Sequence, residues 1–296
     1  MQRKHILVVG YGKLGSRVAK ALSANHDVTT IKRSPIEHSS LVNMCFADIT
    51  NKQALSDTLN ERLNQGVDYL IYCLSPRERS EQGYRDAYLT GLQNIMSCLP
   101  KPDRLEHVLF VSSTSVYHQE NGEEVDELSP CLPTSFSGNV LLDAESYLAN
   151  LAVNSTVIRF SGIYGGSRSR LIDQVKRAID AGDLLYATPS YTNRIHEDDC
   201  MGFICHLIDL LDKGREIKTC YLASDSCPVK QAEVYHFIAS QLEPRSGSKQ
   251  SSTFKIEENA VKASRRAGSK QCQNTCMKQS GYTLKYNSYK EGYLLS

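Results

Sequence analysis

The stretch HILVVGYGKLGSRVAKAL, residues 5–22, constrains the fold more than any other part of the chain. It begins as a short β-branched run and meets glycines at Gly10, Gly12 and Gly15. It then continues with helical spacing to about Ala24. A G-x-G-x-x-G spacing is weak alone, but it gains meaning where it ends a strand and opens a helix. Gly10 allows the tight turn, Gly12 leaves the main chain bare, and Gly15 lets the helix lie close to the strand. Amides at the helix start are then free to receive a diphosphate. The loop Gly10, Tyr11, Gly12, Lys13, Leu14 and Gly15 is therefore a candidate dinucleotide site.

The rest of the chain repeats the alternation. DVTTIKR (27–33), a weaker run at Asn43–Phe46, VDYLIYCL (67–74), HVLFVSS (107–113), STVIRF (155–160) and TCYLAS (219–224) read as strands. Helical spacing lies between them, at Lys52 to about Leu63, 138–151, 196–211 and 228–242. Tyr84, Tyr88, Leu92, Ile95 and Leu99 also recur at helical spacing and read as core packing. The alternation predicts an α/β fold, a doubly wound parallel Rossmann sheet with right-handed crossovers. Such sheets bind ligands beyond the carboxyl ends of their strands. Leu74, which ends the VDYLIYCL strand, and Ser75, which follows it, join the candidate cofactor contacts on that ground.

The end of the second strand selects the dinucleotide. An acid there binds the ribose hydroxyls of NAD. This chain has Lys32, Arg33 and Ser34 instead. A guanidinium grips a 2′-phosphate through charge-assisted bonds, each worth about 1.5–3 kcal/mol. NADP(H) is favoured, with NAD(H) as the alternative; the plainer reading of Lys32 and Arg33 is a pair of solvated strand-end charges. Asp48, in FADIT, either contacts the adenine or caps the helix that begins near Asn51.

Composition excludes several classes. The 296 residues carry 34 basic and 33 acidic side chains, a net charge of +1, so no global field argues for nucleic acid or an anionic membrane. The N-terminal apolar run is about six residues, too short for a signal peptide or a membrane span. A soluble, cytoplasmic protein acting on a small molecule is expected. The ten cysteines are scattered through apolar runs, and Cys272 and Cys276 have no second pair at ligand spacing, so no metal is expected.

With these residues in view, the chain resembles the extended short-chain dehydrogenase/reductases, the NAD-dependent epimerase/dehydratase family. GYGKLG, FADIT, VSSTSVYH, VIRFSGIYGGSR and NRIHEDDC occur in the family's order. The resemblance implies a Rossmann domain, residues 1–164 plus 192–225, and a smaller C-terminal substrate lobe, residues 165–191 plus 226–296. Homodimers through paired helices are common in that family. The family's hydroxyl residue falls on Ser113. Its Tyr-x-x-x-Lys pair falls on Ser137 and Leu141, so this chain resembles an atypical subgroup without the pair.

That loss matters because hydride transfer at a carbonyl needs a proton donor at the oxygen. Without a matched acid the rate falls by about 10²–10⁴. Tyr117 is a replacement candidate by strand parity with Ser113 and Ser115, although a packing tyrosine is the plainer reading. Tyr164 is another, at a strand's carboxyl end. His118 is suited by its intrinsic pKa but reads more simply as an exposed loop residue. Ser115, Ser137, Arg168 and Arg194 are candidate substrate contacts, the arginines for an anionic group. The acids of Arg194–Asp199 read as a helix start that complements the dipole. The basic stretch 244–270 reads as a mobile surface segment or as a basic flap near an anionic ligand. Two functions stay open: an NAD(P)-dependent oxidoreductase, epimerase or dehydratase acting on a small carbonyl or sugar-like substrate, or a non-catalytic NADP(H)-binding sensor.

Overall fold

A computed structural model describes residues 3–35, 42–166, 170–242, 255–259 and 268–293. Arg168 and most of the basic stretch 244–270 lie outside the described residues.

In chain order the strands begin with β1 (His5–Val9), β2 (Asp27–Lys32), β3 (Asn43–Phe46), β4 (Tyr69–Tyr72) and β5 (His107–Ser113). They continue with β6 (Glu123–Val125), β7 (Asn154–Phe160), β8 (Gly162–Tyr164), β9 (Leu184–Ala187) and β10 (Tyr191–Thr192). The last are β11 (Arg194–His196), β12 (Cys220–Ala223), β13 (Val229–Lys230), β14 (Lys255–Glu258) and β15 (Lys270–Cys272). The helices are α1 (Lys13–Leu22), α2 (Lys52–Arg62), α3 (Glu81–Tyr84), α4 (Gly91–Cys98) and α5 (Phe136–Ala149). After them come α6 (Arg170–Ala181), α7 (Glu197–Asp212), α8 (Gln231–Leu242), α9 (Thr275–Gln279) and α10 (Tyr289–Gly292).

Two compact units divide the chain. The first holds Met1–Val116, Cys131–Arg159 and Met201–Tyr221; the second holds Tyr117–Pro130, Phe160–Cys200 and Leu222–Ser296. The main sheet is seven-stranded and parallel, in the order β12-β7-β5-β4-β1-β2-β3. β1 pairs with both β2 and β4, so the strand order reverses direction there, which is where such sheets open a crevice. Ile6, Leu7, Val8 and Val9 are fully buried. This is why β1 reads as a continuous apolar run with no alternation.

The tyrosine-rich helix departs from regular spacing. Arg85–Thr90 is a π-helical turn between α3 and α4. The Tyr72 hydroxyl, from β4, donates to the Ala87 carbonyl at 2.5 Å. The Gly91 amide, which would ordinarily take that carbonyl, bonds Asp86 instead, five residues back. A buried hydroxyl inserted into the ladder is a recognised cause of such bulges.

Helix α5 starts at Phe136, two residues before its sequence-based bound, with the Ser135 hydroxyl accepting from the Gly138 amide. Glu145 fastens the helix to the sheet. It accepts from the Ser112 hydroxyl at 2.6 Å and from the Arg159 guanidinium at 2.6 Å. These partners come from β5 and β7, and both charged side chains are at most 10% exposed. Glu145→Ala withdraws the counter-charge from a buried guanidinium and should cost about 3–5 kcal/mol of stability. Urea unfolding measures this; a loss under about 1 kcal/mol, as for a surface pair, would contradict the buried geometry.

The second unit has its own apolar core. Tyr164, Val175, Leu185, Val234, Tyr235, Ile238, Tyr289 and Tyr293 pack together between α6, α8 and the short strands. No helix among the described residues is long and apolar enough to cross a membrane.

Candidate cofactor site

Gly10 has a φ of +106°, and a Cβ there would lie 2.4 Å from the Cys73 carbonyl oxygen. The Leu74 side chain closes on the same point. A Cβ on Gly15 would lie 1.9 Å from the Gly10 carbonyl oxygen. Gly12 differs: a Cβ there meets nothing within 4 Å, so this face of the loop opens outward. Gly12 caps α1 without a side-chain hydrogen bond. The first backbone bond at the helix start runs from the Ser16 amide to the Gly12 carbonyl, 2.9 Å. The amides of Lys13, Leu14 and Gly15 precede it and carry the positive end of the helix dipole. Bare backbone, outward amides and an open face fit a dinucleotide diphosphate.

At the end of β2, Lys32 is half-buried and Arg33 and Ser34 are exposed. Asp48 does not cap α2: Asn51 does, accepting from the Ala54 amide at 3.1 Å. Asp48 accepts instead from the Thr50 hydroxyl and amide, at 2.7 and 3.0 Å. Those bonds hold its carboxyl below the usual range, and the positive charges of Arg33 and Arg77 act in the same direction. Arg77 was missed in the sequence. Its signal was position: it lies just beyond Leu74 and Ser75, after the strand end.

Ser113, the last residue of β5, accepts from the Ser115 amide at 3.2 Å. A Cβ on Gly138 would lie 2.4 Å from the Ser115 carbonyl oxygen, so the start of α5 presses on this turn. Ser113, Ser115 and Ser137 thereby share one corner of the first unit. The Ser137 hydroxyl lies 3.1 Å from that of Ser135. Leu141 is 2% exposed, an apolar core position.

The parity argument for Tyr117 fails. β5 stops at Ser113 and a 3₁₀ turn, Thr114–Val116, follows, so alternation no longer applies. In the second unit, the Tyr117 hydroxyl donates to the Asp126 carbonyl at 2.7 Å. Tyr164 is buried, its ring 4.5 Å from Tyr293 and 5.2 Å from His196. Burial pushes its hydroxyl pKa well up. Arg194 is buried, bonding the Thr192 hydroxyl at 2.7 Å beneath the Tyr289 ring at 5.4 Å.

Among the described residues no group of three His, Cys, Asp or Glu is placed to hold a metal ion. Of the acids after Arg194, Asp199 is fully buried. It accepts from the Tyr282 hydroxyl and from the Lys285 and Tyr286 amides, at 2.7–3.0 Å. Its work is to hold the segment SGYTLKY.

A model of the NAD dependent epimerase/dehydratase family matches residues 6–218. The chain belongs to that family. A protein of Methylobacillus flagellatus described as a NAD-dependent epimerase/dehydratase is 32% identical, with a TM-score of 0.78. That match covers 99% of this chain and 97% of the other. At 16% identity and a TM-score of 0.73, UDP-N-acetylglucosamine 4-epimerase from Bacillus cereus shares the fold, over 98% of this chain and 96% of its own. So does the Bordetella bronchiseptica enzyme WbmG in complex with NAD, at 13% identity and a TM-score of 0.77, over 99% and 92%. No curated protein matches the chain. The glycine corner, Ser113, Ser137 and Leu141 all lie within the matched residues.

Two substitutions separate the roles of the glycines. Gly12→Ala should change stability by no more than about 1 kcal/mol, because its methyl faces open space. Gly15→Ala should lower the melting temperature clearly, because its methyl strikes backbone. Thermal melts of the cofactor-free chain check this; equal melts would mean that the Gly15–Gly10 contact is not made.

Asp225 is fully buried, and burial pushes its carboxyl up to about 7 against the charge of Arg194. Asp199 and Glu291 add like charge. The folded chain therefore keeps a proton that the unfolded chain releases near pH 4. Between about pH 4 and 7 the unfolded state binds fewer protons, so stability falls as pH rises and levels off above 7. Asp225→Asn should flatten that fall in urea midpoints measured at pH 5 and pH 8. An unchanged slope would show that Asp225 is ionised throughout.

Proposed function

We propose that this chain is an NADP(H)-dependent enzyme of the epimerase/dehydratase type. It would act on a small carbonyl or sugar-like substrate through a non-standard proton-transfer site. The observation that carries the reading is the glycine corner, with bare amides at α1 beside a strand end that offers Lys32, Arg33 and Ser34 and no acid. In this reading Gly10–Gly15 hold the diphosphate, and Arg33, joined by Arg77, holds the 2′-phosphate. Leu74 and Ser75 border the cofactor. When bound, the nicotinamide supplies or accepts the hydride. The Ser113 hydroxyl orients the substrate oxygen, with Ser115 and Ser137 beside it. A serine is a far weaker acid than a tyrosine next to an ammonium, so turnover is expected to be slow.

Calorimetric titration of NADPH and NADH tests the cofactor assignment. Arg33→Asp should weaken NADPH by roughly tenfold to a hundredfold, the equivalent of one charge-assisted bond, and leave NADH nearly unchanged. Unchanged NADPH affinity would remove the case for NADP(H).

A second reading has its own support. Ser137 is engaged with Ser135, and Leu141 is buried where the family's lysine would sit. This favours a protein that binds NADP(H) without turnover, as a sensor. Tight binding with no cofactor oxidation across a panel of carbonyl substrates would decide for it.

A further inference from the structure

The face of a parallel sheet beneath a crossover helix is ordinarily apolar along its whole length. At the amino end of the main sheet this rule breaks. His5 pairs with Asp27 across β1 and β2, and Thr29 pairs with Asn43 across β2 and β3. Alternation puts these four side chains on one face, together with Cys45. They line a cavity of about 520 Å³ with Arg62, at the end of α2, and with Arg104. The cavity lies wholly within the first unit. Its volume falls in the range of about 300–1,000 Å³ that small-molecule sites occupy.

Arg104 is fixed in place. Its Nε and Nη2 donate to the Asp68 carboxylate at 3.0 and 2.9 Å, and Nη1 donates to the Gln65 carbonyl at 2.8 Å. A guanidinium has five N–H groups, so two remain for a ligand. Arg62 lies 3.3 Å from the adjacent Glu61, and Asp27 lies 3.3 Å from Arg3. All four of these side chains are more than half exposed. Exposed pairs contribute little, so a ligand can displace them. His5 is already committed. Its Nδ1 lies 3.1 Å from the Gly66 carbonyl, which can only accept, so the proton sits on Nδ1. Nε2 then accepts from the Thr29 hydroxyl at 2.9 Å.

The His5 amide donates to Asp68 at 2.6 Å. Asp68, and with it Arg104, therefore stands on the β4 side of β1, and Asp27 stands on the β2 side. Two strand spacings, about 10 Å, separate these positions. One side of the cavity thus offers guanidinium donors and the other a carboxylate.

We propose that this cavity binds a free α-amino acid with an apolar side chain. The ligand carboxylate accepts from Arg104 and Arg62, its ammonium donates to Asp27, and its side chain lies against Met44 and Cys45. A simple anion would gain the guanidiniums but face the Asp27 carboxylate, and a simple amine would meet the reverse. A ligand carrying both charges complements both sides. The glycine corner lies beyond the opposite end of β1, so this site stands or falls separately from the cofactor reading.

Calorimetric titration of the full chain without nicotinamide tests this with three matched probes. They are L-leucine, 4-methylpentanoate, which lacks the ammonium, and 3-methylbutylamine, which lacks the carboxylate. L-Leucine should bind, and each truncated probe should bind at least about tenfold more weakly, the equivalent of one charge-assisted bond. Asp27→Asn should bring L-leucine down to the level of 4-methylpentanoate without weakening that acid. Arg62→Gln should weaken L-leucine and the acid alike. Both substituted side chains are exposed, and unchanged thermal melts show that the variants fold. No binding of L-leucine up to about 10 mM, a range that reaches even affinities weaker than millimolar, would overturn the proposal. So would L-leucine binding no tighter than the acid, or either substitution leaving its affinity unchanged.

Discussion

The close approach of Gly15 to the Gly10 carbonyl is the contact on which the cofactor corner depends. It draws the start of α1 down to the end of β1 and aims the first-turn amides outward. Any side chain at position 15 would strike backbone, and backbone cannot step aside as a flexible side chain can. Around that contact the carboxyl ends of β1, β2 and β4 converge. The Gly10 amide bonds the Ile31 carbonyl, and the Cys73 amide bonds the Val9 carbonyl. The contacts that fix this corner are thus mostly between main-chain atoms.

A similar separation of anchoring from the surrounding side chains holds for helix α5. Helix α5 is held by Glu145, Ser112 and Arg159, and its start is pressed against Ser115 through Gly138. None of these anchors requires a tyrosine at 137 or a lysine at 141. Leu141 contributes to the apolar core, a role in which a charged residue would need a partner or an exit to water.

In the second unit, buried polar side chains recur, some satisfied and some not. Asp199 spends its carboxylate on two amides and a hydroxyl of the C-terminal segment. Arg194 Nη1 and Asp225 Oδ2 are both buried without a partner. Such groups cost free energy unless satisfied.

The sequence by itself determined the parallel sheet and the glycine corner. Both rest on local spacing: an apolar run, and three glycines before a helix. The sequence also showed that the end of β2 carries Lys32 and Arg33 and no acid. The reading of Ser137 and Leu141 rests instead on the resemblance to the family. Only the tertiary structure decided what each polar side chain faces. It gave the cap of α2 to Asn51 over Asp48, ended the alternation at Ser113 before Tyr117, and put Arg77 in the field of Asp48. It also bulged the tyrosine helix over Tyr72. The bulge and the field of Arg77 arise between residues more than ten positions apart, the cap of α2 from a local choice of partner, and the end of alternation from a turn directly after Ser113. A linear pattern records which groups a chain owns, whereas partners and burial are set when distant segments pack and each polar atom must find an acceptor or water.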